Sequence, residues 1–223
     1  MFEESSDIFR DMFLFLPQDV SSDGSSDEQP LFLHGVRKGP FRRLLMAMEQ
    51  CKFPSGADEC HLDSEAARIL FHEWVSALEL SYMWQMTEVR ERVIEEISNL
   101  FPRVGNQDLI HLLKVSDKLG ISEIRDRLID RLSKSLEPIE LIKLGTEFPI
   151  NSLLVHGYAS LAMQKGGISA KHEELLGMKT TSKLFRIRDG YLQKWLNAYT
   201  NKDDVMREVE QLFAEEFSDT SRK

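Results

Sequence analysis

Apolar residues recur at helical spacing along most of the chain and predict a series of amphipathic helices. After Gly39-Pro40, the segment 41–48 has this spacing, with proline suited to a first helical position. Its apolar positions are Phe41, Leu44, Leu45 and Met48. Before it, the short apolar run 31–33 is compatible with one β-strand. The pattern therefore predicts a mainly α protein with a small β component.

An internal repeat is the most informative feature of the sequence. Residues 75–98 align without a gap on residues 110–133, at an offset of 35, and a weaker third copy begins near Ile139. The identical pairs are Leu78/Leu113, Ser81/Ser116, Glu88/Glu123, Arg90/Arg125, Arg92/Arg127, Ile94/Ile129 and Ser98/Ser133. Each copy consists of an apolar helix, a tight turn and an amphipathic helix, so we expect three stacked helical hairpins.

The turns of the repeat carry the residue types that start helices. Thr87, Ser122 and Asn151 have side chains that can accept hydrogen bonds from the free N–H groups of a first helical turn. In the third copy, Gly157 replaces the central leucine of the second helix. That helix is expected either to pack unusually close to its neighbour or to be less stable.

The C-terminal segment 201–223 is expected to form an amphipathic helix with a frayed end. Its apolar positions lie on one side and its acidic residues on the other. They are Val205, Val209, Leu212, Phe213 and Phe217. Docking on the same domain is favoured over binding to a groove of a partner, because an apolar stripe usually serves its own core.

Charge and hydropathy argue against two classes of partner, nucleic acids and membranes. The 223 residues include 28 basic and 37 acidic side chains, a net charge of −9, which argues against coating a nucleic acid. Neither a secretion signal nor an apolar run of the roughly 20 residues needed to cross a bilayer is recognisable. We therefore expect an intracellular protein, cytoplasmic or nuclear, with no nucleic-acid or membrane partner. Residues 17–30, rich in serine and aspartate, are expected to be a solvated loop.

The candidate chemistry along the chain is weak. Cys51, Cys60, His61 and His72 lack the close ligand pairs of a zinc site, so ordinary thiols in a loop are favoured. No nucleophile motif or phosphate-binding glycine loop is present. The sequence thus predicts no enzyme, no cofactor, no metal and no small-molecule substrate, and it identifies neither catalytic nor partner-binding residues.

Two histidines leave one enzymatic alternative open. His111 and His156 fall within repeat helices, where a partly exposed structural histidine is the favoured interpretation. An enzyme on a helical scaffold would instead need a deep pocket with convergent polar groups, including one of these histidines.

The order of these segments resembles the BTB/POZ domain, in particular a large fungal group of such proteins. The similarity covers residues 2–190. The stretches that carry it are FEESSDIFRDMFLFLP, GSSDEQPLFLHGVRKGPFRRLL, EWVSALELSYMWQMTEVRERVIEEI, LIKLGTEFPINSLLVHGYASL and LLGMKTTSKLFRIR. The family pattern begins with two β-strands, whereas this chain starts at or inside the helix that follows them. The N-terminal strands are therefore expected to be missing, which places family-type dimerisation in question.

The resemblance implies a fold, a division of the chain and a function. It implies a partial, N-terminally incomplete BTB/POZ-like α/β module over 1–101, a helical tail domain over 102–200 and the C-terminal helix over 201–223. It further implies a non-catalytic adaptor that binds proteins. The partner would be a second copy, a cullin-type ubiquitin-ligase scaffold or a transcriptional complex.

Two alternatives to the adaptor remain. A standalone helical-repeat scaffold would fold through residues 71–161 while residues 1–50 stay mobile. A truncated product without independent function would bury its apolar residues poorly, since Phe9, Phe13 and Phe15 would lack their strand partners.

Overall fold

The protein is all-α in the computed structural model. The structure describes residues 2–15, 30, 32–49, 63–196 and 201–220. Of these residues, 84% are helical and none lies in a strand, so the predicted mainly α class is confirmed. The small β component is not present there: Phe32 and Leu33 have no regular secondary structure and precede a turn at His34-Gly35. A short apolar run becomes a strand only when another strand pairs with it.

The chain divides into two compact units, Met1–Arg125 and Asp126–Lys223. The helices of the first unit are α1 (Phe2–Ser5), α2 (Asp7–Phe15), α3 (Lys38–Met48), α4 (Ser64–Met83), α5 (Thr87–Leu100) and α6 (Asn106–Leu119), with a 3-10 turn over Phe101–Arg103. The division falls within α7 (Ser122–Ser135). The second unit continues with α8 (Pro138–Glu147), α9 (Asn151–Met163), α10 (Ala170–Leu196) and α11 (Lys202–Thr220).

The three copies of the repeat each fold as helix, turn and helix, as predicted. One backbone hydrogen bond recurs at the same place in every turn. Its N–O pairs are Met86–Ser81 at 2.8 Å, Ile121–Ser116 at 2.9 Å and Ile150–Gly145 at 3.0 Å. The accepting residue is small in all three copies. The alignment found in the sequence therefore corresponds to an equivalence of backbone geometry.

The predicted helix caps are displaced by one residue. Met86 and Ile150, rather than Thr87 and Asn151, occupy the positions before α5 and α9, and neither helix has a side-chain cap. Met86 is fully buried and Ile150 nearly so. Each of them packs an apolar side chain into the core directly before its helix, a position at which an apolar residue can fix the entry of the chain into the helix.

The first unit is built around α4, which packs against α3, α5 and α6. Phe71, Trp74 and Leu78 on α4 are almost completely buried. The hydroxyl of Ser81, fully buried among them, donates a 2.8 Å hydrogen bond to the carbonyl of Leu78. A buried polar group in this core thus keeps a partner, as stability requires.

An aromatic cluster attaches the N-terminal helices to this core. Phe9 is 5% exposed and meets the Trp84 ring edge-on, with centroids 5.1 Å apart. Ser6 donates its hydroxyl proton to the carbonyl of Trp84. Phe9, one of the three phenylalanines expected to lack partners in a truncated product, is therefore packed. The side chains of Phe13 and Phe15 lie outside the described part of the structure.

The second unit is built around α9. Val205, Val209 and Phe213 of α11 are buried against it, and the rings of Phe213 and Tyr158 stack at 4.5 Å. The C-terminal helix thus docks on its own unit, which confirms the favoured interpretation of its apolar stripe. On the α8 side, Gly157 allows the close approach that its position in the repeat predicted.

Candidate functional site

A cleft of about 350 Å³ opens on the first unit between the start of α3 and the first half of α4. Gly39 and Pro40 line it from α3, and Arg37 lines it from the residues just before that helix. The α4 residues are spaced by three and four, which places them on one face of the helix. They are Glu65, Arg68, Ile69, His72 and Glu73.

A polar network joins this face of α4 to α6. Nε2 of His72 lies 2.9 Å from Oδ1 of Asp108, and Nε of Arg68 lies 3.5 Å from the same oxygen. One turn further along α6, the ring of His111 lies 5.5 Å from that of His72, centroid to centroid. Asp108 is only 13% exposed, so its charge is held between two potential donors.

A second ion pair fixes the wall formed by α3. Nε of Arg43 lies 2.9 Å from Oε2 of Glu73, with both side chains about one quarter exposed. The guanidinium carbon of Arg43 also lies 5.9 Å from the centre of the Trp74 ring. Salt bridge and ring contact together orient Arg43 across α4.

Arg37 at the rim of the cleft has a different kind of partner. Its Nη2 atom donates a 3.3 Å hydrogen bond to the hydroxyl of Ser76, and no described carboxylate forms an ion pair with it. A guanidinium carries five N–H donors. Arg37 therefore presents a positive charge to the cleft that the described residues leave uncompensated.

The histidines meet no nucleophile in the described part of the chain. His72 hydrogen-bonds to a carboxylate, a contact that can orient a catalytic base, but no described Ser, Thr or Cys hydrogen-bonds to its ring. His111 is exposed beside it. Of the residues weighed for a metal, Cys51, Cys60 and His61 lie outside the described ranges. Within those ranges no group of three or more ligating side chains could hold a metal ion.

His156, the other histidine considered for catalysis, is half-buried in the second unit. Burial lowers its pKa below the usual 6.5, and the positive charge of Lys202 acts in the same direction. Burial also raises the pKa of the neighbouring Tyr158 to about 12, with Glu216 contributing. Both groups are therefore neutral at pH 7, as expected of structural residues in a packed helix.

The outer face of α10 carries an exposed apolar stripe that sequence reasoning did not single out. Gly177 interrupts this helix, with φ 77° and ψ 160°. Beyond the interruption, Met178, Phe185 and Leu192 follow at intervals of seven residues and are 85%, 38% and 38% exposed. Leu184 and Ile187, which point about 100° and about 160° away from Phe185 around the helix, are fully buried. The stripe is the most extended run of exposed apolar side chains on any helix of the described second unit.

Comparison with known proteins gives no further assignment. No protein-family model, curated protein or solved structure matches this chain. Among the helices that the structure describes, none combines the length and apolar character needed to cross a membrane.

Proposed function

We propose that this chain is a non-catalytic adaptor of the BTB/POZ type that acts by binding another protein. The resemblance over residues 2–190 supports the BTB/POZ assignment, and it rests on the order and spacing of the motifs. Protein binding has separate support from the outer stripe of α10.

That stripe is the observation that carries the proposal. Large apolar side chains in contact with water lose free energy when a partner covers them, at roughly 25 cal/mol per Å² of apolar surface. Met178, Phe185 and Leu192 repeat every seven residues and so remain on one side of a straight helix. Such a row suits the apolar face of a helix or the floor of a groove on another protein.

The resemblance suggests the kind of partner. A second copy of this chain, a cullin-type ubiquitin-ligase scaffold and a component of a transcriptional complex are all consistent with it.

Paired variants of α10 test the proposal. The double variant Met178→Ser/Phe185→Ser removes two members of the stripe. Leu175→Ser is the matched control, because Leu175 is 53% exposed but precedes the interruption at Gly177. We expect the wild-type chain and the control either to form a dimer in light scattering or to retain one stoichiometric partner from native extract.

The double variant should lose that dimer or partner while keeping the unfolding temperature of the wild type. A folded wild-type chain that stays monomeric and retains no stoichiometric protein would contradict the proposal. Equal binding by the wild type, the double variant and the control would show that the partner contacts a surface other than the stripe on α10.

A further inference from the structure

The charged side chains at the cleft of the first unit differ in whether they have a partner of opposite charge. Its two acidic lining residues each face an arginine, Glu73 facing Arg43 at 2.9 Å and Glu65 facing Arg68 at 3.4 Å. Asp108, just behind the cleft, is contacted by His72. The carboxylates of this region thus already have cationic or hydrogen-bonding partners.

The arginines are not matched in the same way. Arg37 contacts only the neutral hydroxyl of Ser76 among the described residues. Arg68, by comparison, lies 3.4 Å from Glu65 and 3.5 Å from Asp108, so it has carboxylate partners of its own. Arg37 is therefore the arginine at the cleft that pairs with no described carboxylate, and a carboxylate of a ligand can fill that place.

An apolar surface lies beside these charges. Ile69 lines the cleft and remains 55% exposed, although its neighbours Leu70 and Phe71 are buried. Pro40 lines the cleft as well and adds the rigid ring of a residue that has no N–H group. An aliphatic side chain of a ligand would gain burial there while its carboxylate reaches Arg37.

We propose that this cleft binds a short acidic segment of a partner protein, with a carboxylate on Arg37 and an adjacent aliphatic side chain on Ile69. The cleft volume of about 350 Å³ suits a few residues of an extended peptide. This inference rests on the proposed protein-binding function and assigns it a second contact, separate from the stripe on α10.

Selection from a display library of random octapeptides, with the intact chain as target, tests this inference. We expect enrichment of peptides that place Asp or Glu next to Leu, Ile or Val. The affinity of a synthetic peptide of the most enriched sequence is then measured by fluorescence anisotropy. Arg37→Gln should weaken it about tenfold or more, because the variant loses the charge-assisted hydrogen bond to the carboxylate of the peptide.

Two matched controls distinguish binding at the cleft from effects of losing any positive charge or any exposed apolar side chain. Arg42→Gln removes the same charge from an exposed residue of α3 outside the cleft lining. Met83→Ser is paired with Ile69→Ser, since the two side chains are 53% and 55% exposed on the same helix. The inference requires Arg37→Gln and Ile69→Ser to weaken binding while both controls leave it within about twofold of the wild type.

The outcomes distinguish this inference from the proposed function. Selected peptides without acidic residues, no selected peptide at all, or equal loss in Arg37→Gln and Arg42→Gln would each overturn the cleft assignment. Peptide binding that is lost in Phe185→Ser but kept in Arg37→Gln would leave the adaptor proposal standing while the cleft assignment fails.

Discussion

Gly157 on α9 lies so close to Ile142 on α8 that a Cβ atom built on the glycine would stand 2.7 Å from Cγ1 of the isoleucine. The same atom would stand 3.0 Å from the carbonyl oxygen of Pro138 and 3.1 Å from the backbone N of Ile142. Because two of these three atoms belong to the backbone, a side-chain rotation cannot relieve the contact. The close packing of α8 against α9 therefore requires glycine at this position.

Gly157→Ala should accordingly destabilise the protein. Overpacking a close helix contact costs about 1–3 kcal/mol, and the better helix propensity of alanine, worth about 1 kcal/mol, offsets only part of it. We expect a net loss of up to about 2 kcal/mol in urea unfolding. Gly166→Ala is the control, because a Cβ there meets nothing within 4 Å and should leave stability unchanged or slightly higher. Equal stability of the two variants would contradict the close packing.

The turns of the first two repeat copies lead to a second prediction. Substitutions at two equivalent positions should change the stability of the protein in opposite directions. Gln85 and Gly120 correspond in the repeat and both have left-handed backbones, with φ of 54° and 66°. Only glycine adopts this conformation without a steric cost. Gln85→Gly should therefore stabilise the protein by about 0.5–1 kcal/mol, and Gly120→Ala should destabilise it by about 1 kcal/mol.

The comparison is clean because a Cβ on Gly120 meets nothing within 4 Å, so the backbone conformation alone changes. Thermal and urea unfolding of both variants measure the two effects. A change of the same sign in both would show that the turns are not equivalent, despite the alignment of their sequences.

The repeat could be read from the sequence because it depends on local spacing. The offset of 35 that pairs Leu78 with Leu113 also pairs Ser81 with Ser116, and both serines donate to the carbonyl three residues earlier, at 2.8 Å. The exception at Gly157 was likewise visible as a missing side chain. The helix starts were misplaced by one residue: the fully buried Met86, and not Thr87, precedes the first turn of α5, and the tertiary packing of Met86 is not visible in the local sequence.

The cleft could not be predicted in this way. Its contacts join residues far apart in the chain, 36 residues between His72 and Asp108 and 39 between Arg37 and Ser76. No periodicity in a single sequence specifies which helices meet. On α10, Phe185 follows the fully buried Leu184 and is 38% exposed, a difference that only the packing of the unit decides.

His156 should make stability depend on pH. Burial lowers its folded-state pKa below the unfolded value near 6.5, with Lys202 and Lys134 contributing and Asp130 opposing. The unfolded chain therefore binds the proton first as pH falls, and stability decreases from about pH 6.5 until the folded-state pKa is passed. At pH 8 both states are neutral and the effect vanishes.

Urea unfolding of the wild type and His156→Gln at pH 8, 7, 6 and 5.5 measures this contribution. The stability lost between pH 8 and pH 5.5 should be smaller in the variant. His34→Gln changes an exposed histidine and should follow the wild type. Parallel curves for wild type and His156→Gln would refute the assignment to His156.

Lys183 should contribute more to the docking of α11 than its neighbour Lys179, although both approach Glu216. Nζ of Lys183 donates to the carbonyl of Leu212 at 2.7 Å, lies 3.0 Å from Oε1 of Glu216 and stands 4.6 Å above the ring of Phe213. Lys183 is only 18% exposed, whereas Lys179 is 77% exposed and lies 3.3 Å from the same carboxylate oxygen.

Lys183→Met should therefore cost about 1–3 kcal/mol, since a partly buried charged donor and its ring contact are lost together. Lys179→Met should stay within about 0.5 kcal/mol of the wild type, as exposed pairs contribute little. Urea unfolding in 0.1 M and 1 M NaCl separates the two: salt should remove the small effect of Lys179→Met and leave most of the effect of Lys183→Met. If both losses were equal and vanished in high salt, Lys183 would act through exposed charge alone, and its contacts with Leu212 and Phe213 would not hold α11 in place.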